Sequence, residues 1–322
     1  MQTVSHKATQ FLVFGAKILI LAGVFFFIWK RIASDIDIFF ENFKSYNISL
    51  SSYINIAILL LLSILNWIFE ILKWKTLSSH CDLITLKEST KQVLKAHVMS
   101  LITPAKIGEY GAKALFFPPH QRKHILFLNL LGNLYQMVAT TLFGIIGIGI
   151  GIAFLFPTYV GYYFTITTVC IIVLWLLQKM FQKISWKIKG YSWQRIKAFT
   201  KTIHTLIKRK AFIYSFVRYF LFAHQFYFLL LLFDVEISYL LGMSLIATMY
   251  FVSSLVPMLQ LFDVVIKTGV AVALFSWVEV PELTMVTITA LMWFFNVALP
   301  ILPGSYFIMT DTSVSSQKPI SS

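Results

Sequence analysis

Four groups of residues place charges or amides where this chain is otherwise hydrocarbon. Lys106 and Glu109 stand three apart in T-P-A-K-I-G-E-Y-G at 103–111, a stretch that also holds Thr103. Arg218 sits inside the apolar run 212–233, and Asn66 and Glu70 share a helical face in the run 53–72. Asp263 and Lys267 are four apart, just beyond Pro257. A charge at bilayer depth costs about 2.5–3.5 kcal/mol on insertion scales, so the charges that persist face a cavity or a partner. Arginine's planar fork takes a phosphate through two hydrogen bonds, and lysine supplies a point charge. Together these eight residues are candidate substrate contacts for a charged headgroup. Lys106, Lys267 and Arg218 would hold the phosphate while Glu109 and Asp263 balance charge.

Each group also has a plainer reading. Lys106 and Glu109 can be a helix-surface pair worth about 0.2–0.5 kcal/mol, and Arg218 can snorkel toward a basic loop. Asp263 and Lys267 can partner that arginine or neutralise each other, and Glu70 can form an interfacial ion pair with Lys73. His97 and His224 are expected to pack or hydrogen-bond, since no metal-ligand spacing accompanies them. No nucleophile, base and orienter can be assembled, and phosphate-cradling glycine loops are missing from the sequence. With Cys81 and Cys170 as the two cysteines, neither a disulfide framework nor a metal cluster is expected. No cofactor, metal or catalytic residue is therefore expected, and an enzyme is the lesser reading.

The elements that must position these groups are set by composition. Of 322 residues, 58% are hydrophobic and 12% charged, with mean hydropathy +0.78, against roughly 25% charge in soluble domains. An all-α, polytopic membrane bundle follows. Runs long enough to cross about 30 Å of hydrocarbon lie at 11–29, 53–72, 125–156, 162–178, 212–233, 239–256 and 283–302. Residues 86–117 and 257–278 are broken by proline, so these two read as interrupted or re-entrant segments, tolerated only where protein or water covers them. The expected total is about 7–8 spans in one membrane domain, 1–310, followed by a disordered polar tail, 311–322. Lys87, Lys91 and Lys95 stack on one helix face, expected to be wet. Gly144, Gly147, Gly149 and Gly151 read as a helix-packing stripe.

Net charge is +14, concentrated between spans, which points to anionic lipid headgroups and away from nucleic acid. Residues 179–210 hold ten Lys or Arg and no acid. With Ile184, Ile188, Ile196, Phe199, Ile203 and Leu206 at near-helical spacing, they read as a basic amphipathic helix on the cytoplasmic surface. Placing the basic regions inside puts the N-terminus inside too, with Lys30 and Arg31 in conflict.

The stretch at 103–111 resembles the T-P-G-[RK]-x-G-E signature of the lysylphosphatidylglycerol synthase transmembrane-region family, and W-F-F-N-V-A-L-P at 293–300 is similar to that family's last span. Ala105 replaces the usual glycine. Residues 257–269 replace the family's P-G-G-x-G-x-x-E element, with Asp263 in the place of its acid. The resemblance implies a lipid flippase or transporter of a bacterial cytoplasmic (inner) membrane, acting on a phospholipid or lipid-linked substrate. It implies no synthase step, because a soluble aminoacyl-transferase stretch is lacking. A membrane-embedded lipid-modifying enzyme and an accessory subunit docking a partner on its basic loop are the alternatives, and homo-oligomer formation is left open.

Overall fold

A computed structural model describes residues 50–101, 103, 107–169, 187–188, 191–256 and 262–310. The expected span at 11–29, Lys106, most of 162–178 and the tail lie outside them. The described chain is helical apart from a ribbon of two residues on each side, Lys187–Ile188 with Tyr191–Ser192.

Helix α1 is Leu50–Ser78, α2 Leu86–Leu101, α3 Ile107–Leu115 and α4 Arg122–Leu155. After a short 3-10 turn, Pro157–Tyr159, α5 covers 160–169. Helix α6 is Trp193–Thr202, α7 Thr205–Leu232, α8 Tyr239–Ser254 and α9 Asp263–Phe275. Helix α10, Glu282–Trp293, runs through a π-helical stretch at Phe294–Ala298 into α11, Leu299–Thr310. Four of these bodies are long and apolar enough to cross a membrane: Tyr53–Ser78, Arg122–Leu155, Thr205–Leu232 and Glu282–Thr310. Helix α8 is apolar but has 16 residues, below the roughly 20 a perpendicular span needs.

Helix α1 packs along α7, α4 along α8 and α7, and α11 along α2. The glycines of α4 permit its close approach to α8: a Cβ on Gly144 would strike Phe251, and one on Gly147 the Ser244 carbonyl. Two apolar clusters result. The larger joins α7, α8, α9 and α10 through Tyr219, Phe226, Met249, Phe275 and Ile288. The smaller joins α1, α2 and α4 through Trp74, Leu77, Val93, Ile125 and Leu128, with Phe199 of α6 packed against it and Ile203, just past α6, buried in it.

Two expectations are corrected. Residues 179–210 do not form one surface helix: a ribbon precedes α6, and Ile203 and His204 separate α6 from α7. The apolar face of α6 turns onto protein, with Ile203 buried against the smaller cluster and Phe199 stacked on His124 at 4.7 Å. Lys95 does not share a wet face with Lys87 and Lys91. It is buried, its Nζ 5.7 Å from the Phe116 ring centroid.

The first interrupted segment, 86–117, is visible as a helix pair, and of the second, 257–278, α9 and the 3-10 turn after it are described. Helix α2 stops at Leu101, and the Thr103 hydroxyl accepts from the Gly108 N–H at 2.8 Å while reaching the Met99 and Ser100 carbonyls at 3.3 Å each. Thr103 thus ties the end of α2 to the start of α3 and satisfies backbone groups that a helix end leaves open. Gly108 is required there by close approach, because a Cβ would land on the Met99 carbonyl. Helix α8 stops at Ser254 and α9 begins at Asp263.

Candidate functional site

The last long helix is where the site's frame is set. Pro300 has no N–H and its ring crowds the carbonyl four residues back, Asn296, so the α-helical pattern cannot hold at that point. A π turn at Phe294–Ala298 results; such turns frequently mark functional sites. Neighbouring helices hydrogen-bond to this irregular stretch. Ser63 Oγ of α1 donates to the Phe295 carbonyl at 2.6 Å, and His97 Nε2 of α2 lies 3.0 Å from the Val297 carbonyl, which makes that nitrogen the donor.

The π turn aims Asn296 at α1 and α7. Its amide Nδ2 donates to Gln225 Oε1 at 2.8 Å, while its Oδ1 accepts from Asn66 Nδ2 at 3.0 Å. Asn66 Oδ1 in turn accepts from Arg218 Nε at 3.0 Å, and Gln225 Nε2 donates to the Leu59 carbonyl at 3.0 Å. The result is a one-directional run of donors from Arg218 through Asn66, Asn296 and Gln225 to backbone. Every amide orientation in it is fixed by its neighbours, so the run orients the guanidinium.

Arg218 is the fourteenth residue of a 28-residue helix, about 20 Å from either end at 1.5 Å per residue. It does not snorkel toward the basic loop. Its Nη1 bonds Glu70 Oε2, and its side chain is 17% exposed. Glu70 also meets Lys73 at 2.6 Å and Lys113 at 3.8 Å, so it is the hub of a buried cluster and not an interfacial pair. Lys113 continues to Glu109 at 2.8 Å and to Asn129 Oδ1 at 2.8 Å, with its Nζ 4.5 Å from the Trp74 ring centroid.

One cavity of about 380 Å³ collects these groups. Of the candidates read from sequence, Asn66, Glu70, Glu109, Arg218, Asp263 and Lys267 line it. Thr103 does not, being engaged in the α2–α3 connection. Asp263 pairs with Lys267 at 2.5 Å and is not a partner of the arginine. Further wall groups include Lys113, Asn133, Gln136, Trp67, Trp293 and Asn296. Lys113 and Asn296 are the principal residues that sequence reasoning missed. The first stands one helical turn beyond Glu109, and the second four residues before Pro300, and those two spacings were the available signals.

The fold and site together define an all-helical protein with membrane-length apolar helices and a charged cavity among them. No family model, curated protein or solved structure matches the chain. Among the described residues, no group of three or more metal-binding side chains occurs.

Proposed function

We propose that this chain takes the headgroup of a phospholipid or lipid-linked substrate into the cavity and helps it pass between leaflets. One observation carries the reading. A single cavity unites both interrupted segments, through Glu109 and Lys113 on one side and Asp263 and Lys267 on the other, with mid-helix Arg218. Charges at that depth are retained where they serve a polar path, and broken helices lining such a path are a recurring transporter device. The resemblance of 103–111 to the lysylphosphatidylglycerol synthase transmembrane-region family supports the same reading. So does a volume within the roughly 300–1,000 Å³ of ligand pockets, which an accessory subunit without a lipid site would not need. A 7–8-span topology in a bacterial cytoplasmic membrane, with a cytoplasmic N-terminus, belongs to this proposal.

The lipid-modifying enzyme is a second reading, favoured by the carboxylate–amine pair Glu109–Lys113 in the cavity wall. Headgroup translocation in reconstituted vesicles separates the two. Glu109→Gln and Arg218→Ala are each expected to slow translocation at least about tenfold, the equivalent of about 1.4 kcal/mol, with the lipid recovered chemically unchanged. Wild-type rates from both variants would overturn the proposal, and a modified headgroup would establish the enzyme.

A further inference from the structure

We infer that the buried end of the cavity is a site for one singly charged oxyanion of the phosphodiester class, contacted by the free edge of Arg218. The biological source of that anion rests on the lipid reading; the chemistry of the site does not.

Charge is the first argument. Among the described residues, Lys73, Lys113 and Arg218 face Glu70 and Glu109, so three cations meet two carboxylates and one positive charge is left over. Asp263 and Lys267 cancel each other at 2.5 Å and contribute nothing to the surplus. A surplus charge among buried groups is costly until it is matched. One negative charge matches it. A zwitterion leaves it in place, a cation doubles it, and a dianion reverses its sign.

Donors are the second argument. A guanidinium carries five N–H groups and no acceptor. Nε of Arg218 is committed to Asn66 and Nη1 to Glu70, which leaves the Nη2 edge for the cavity that Arg218 lines. The indole Nε1 atoms of Trp67 and Trp293 and the Gln136 amide are buried and without a hydrogen-bond partner among the described residues, and all three residues line the same cavity. Buried polar atoms in native proteins are hydrogen-bonded as a rule, so orphans gathered around one cavity call for an explanation. The wall's carboxylates are already engaged by lysine or arginine. Apart from Gln136 Oε1, the unpartnered buried atoms of the wall are N–H donors, the complement of an oxyanion.

Pre-organisation is the third. Because the amide run through Asn66, Asn296 and Gln225 holds Nε, Arg218 presents its outer edge without having to be ordered by the ligand, and this lowers the cost of binding. Lys73 and Lys113, by contrast, are consumed as counterions. The arginine is the contact residue and the two lysines set the charge count.

Equilibrium binding of tail-fluorescent lipids to the purified full chain in phosphatidylcholine nanodiscs tests this. Wild type is expected to prefer phosphatidylglycerol, a singly charged phosphodiester, over labelled phosphatidylcholine by about tenfold or more. Glu109→Gln raises the surplus to two charges and should move the preference at least about fivefold toward doubly charged phosphatidic acid. Arg218→Lys keeps the charge and loses the fork, so it should weaken affinity while keeping the order of lipids. Dimethyl phosphate, a soluble phosphodiester, identifies the source: displacement of the lipid shows that the free anion suffices, and lack of displacement shows that the site reads the anion on a lipid. Equal binding of phosphatidylglycerol and phosphatidylcholine by wild type, or an unchanged order in Glu109→Gln, overturns the inference. Charge selection without translocation would sink the transport reading and leave the site standing. Translocation without charge selection would do the reverse.

Discussion

In the first interrupted segment Glu109 lies in the opening turn of α3 and meets Lys113 at 2.8 Å; in the second, Asp263 opens α9 and meets Lys267 at 2.5 Å. Each places a carboxylate at a helix N-terminus, where the helix dipole favours it, and a lysine one turn on. Their surroundings differ sharply. The Lys113 and Glu109 side chains are 2% and 12% exposed, those of Lys267 and Asp263 34% and 36%. Lys113 also has Asn129, Glu70 and the Trp74 ring around it, whereas Lys267 has the Tyr250 ring at 5.7 Å. The same acid–lysine spacing is worth about 0.2–0.5 kcal/mol on an open helix. What it is worth here is decided by the walls around it.

Replacing each lysine by methionine is the strongest test of that contrast. Lys113→Met removes the buried cation that faces both Glu109 and Glu70 and the donor to Asn129, and should cost about 3–5 kcal/mol, as breaking a buried pair does. Lys267→Met should cost about 1 kcal/mol or less, as for an exposed pair. Denaturation of the two variants in detergent measures both, and equal losses would break the comparison.

Much of this frame is legible in the sequence and some of it is not, for physical reasons that can be named. Charges inside apolar runs announce themselves, so Glu70, Glu109, Arg218 and Asp263 are found from hydropathy alone, and all four line the cavity. Which partner each takes is a long-range matter. Arg218 meets Glu70 across 148 positions of chain, and nothing local separates that pairing from one with Asp263. Lys73 reads as the cation that ends a span, but α1 continues to Ser78, and the continuation draws the lysine inward onto Glu70. Asn296 reads as one polar residue in an apolar run until Pro300 is seen to force the π turn that aims it. The basic stretch 179–210 misleads because amphipathic spacing states that one face is buried without saying against what. Here Phe199 and Ile203 bury it against protein.

Gly108 offers the next test, since the first break depends on close approach of α3 to the end of α2. Gly108→Ala drives a methyl group into the Met99 carbonyl, and overpacking of this kind typically costs about 1–3 kcal/mol. If the break positions Glu109, the variant should lose headgroup translocation together with stability. Gly111→Ala is the control, because nothing lies within 4 Å of a Cβ there. An unaltered Gly108→Ala protein would show that the first segment is as loosely held as the second.

The smallest effect concerns how the two broken segments are entered. Helix α2 begins with a capping box: Thr85 N–H and Oγ1 donate to Glu88 Oε2 at 2.7 and 2.9 Å, and Glu88 N–H donates to Thr85 Oγ1 at 3.2 Å. Helix α8 begins after Ser238 with no side-chain cap bond. The Thr85 backbone and hydroxyl donors hold the Glu88 carboxyl below its ordinary value of 4.5. A carboxylate lowered in the folded state contributes stability that is fully present above its unfolded pKa and is lost as pH falls through the folded one. The first turn of α2 should therefore lose amide protection as pH drops below about 4.5, while the first turn of α8 changes little. Hydrogen exchange, corrected for the intrinsic pH dependence of each amide, reads the difference; Thr85→Ala, which removes the hydroxyl but keeps the backbone donor, should reduce it, and Glu88→Gln should abolish it. Parallel acid loss at both helices would mean that the entry to the first segment is no better secured than the entry to the second. The contrast between the segments would then begin only at the break itself.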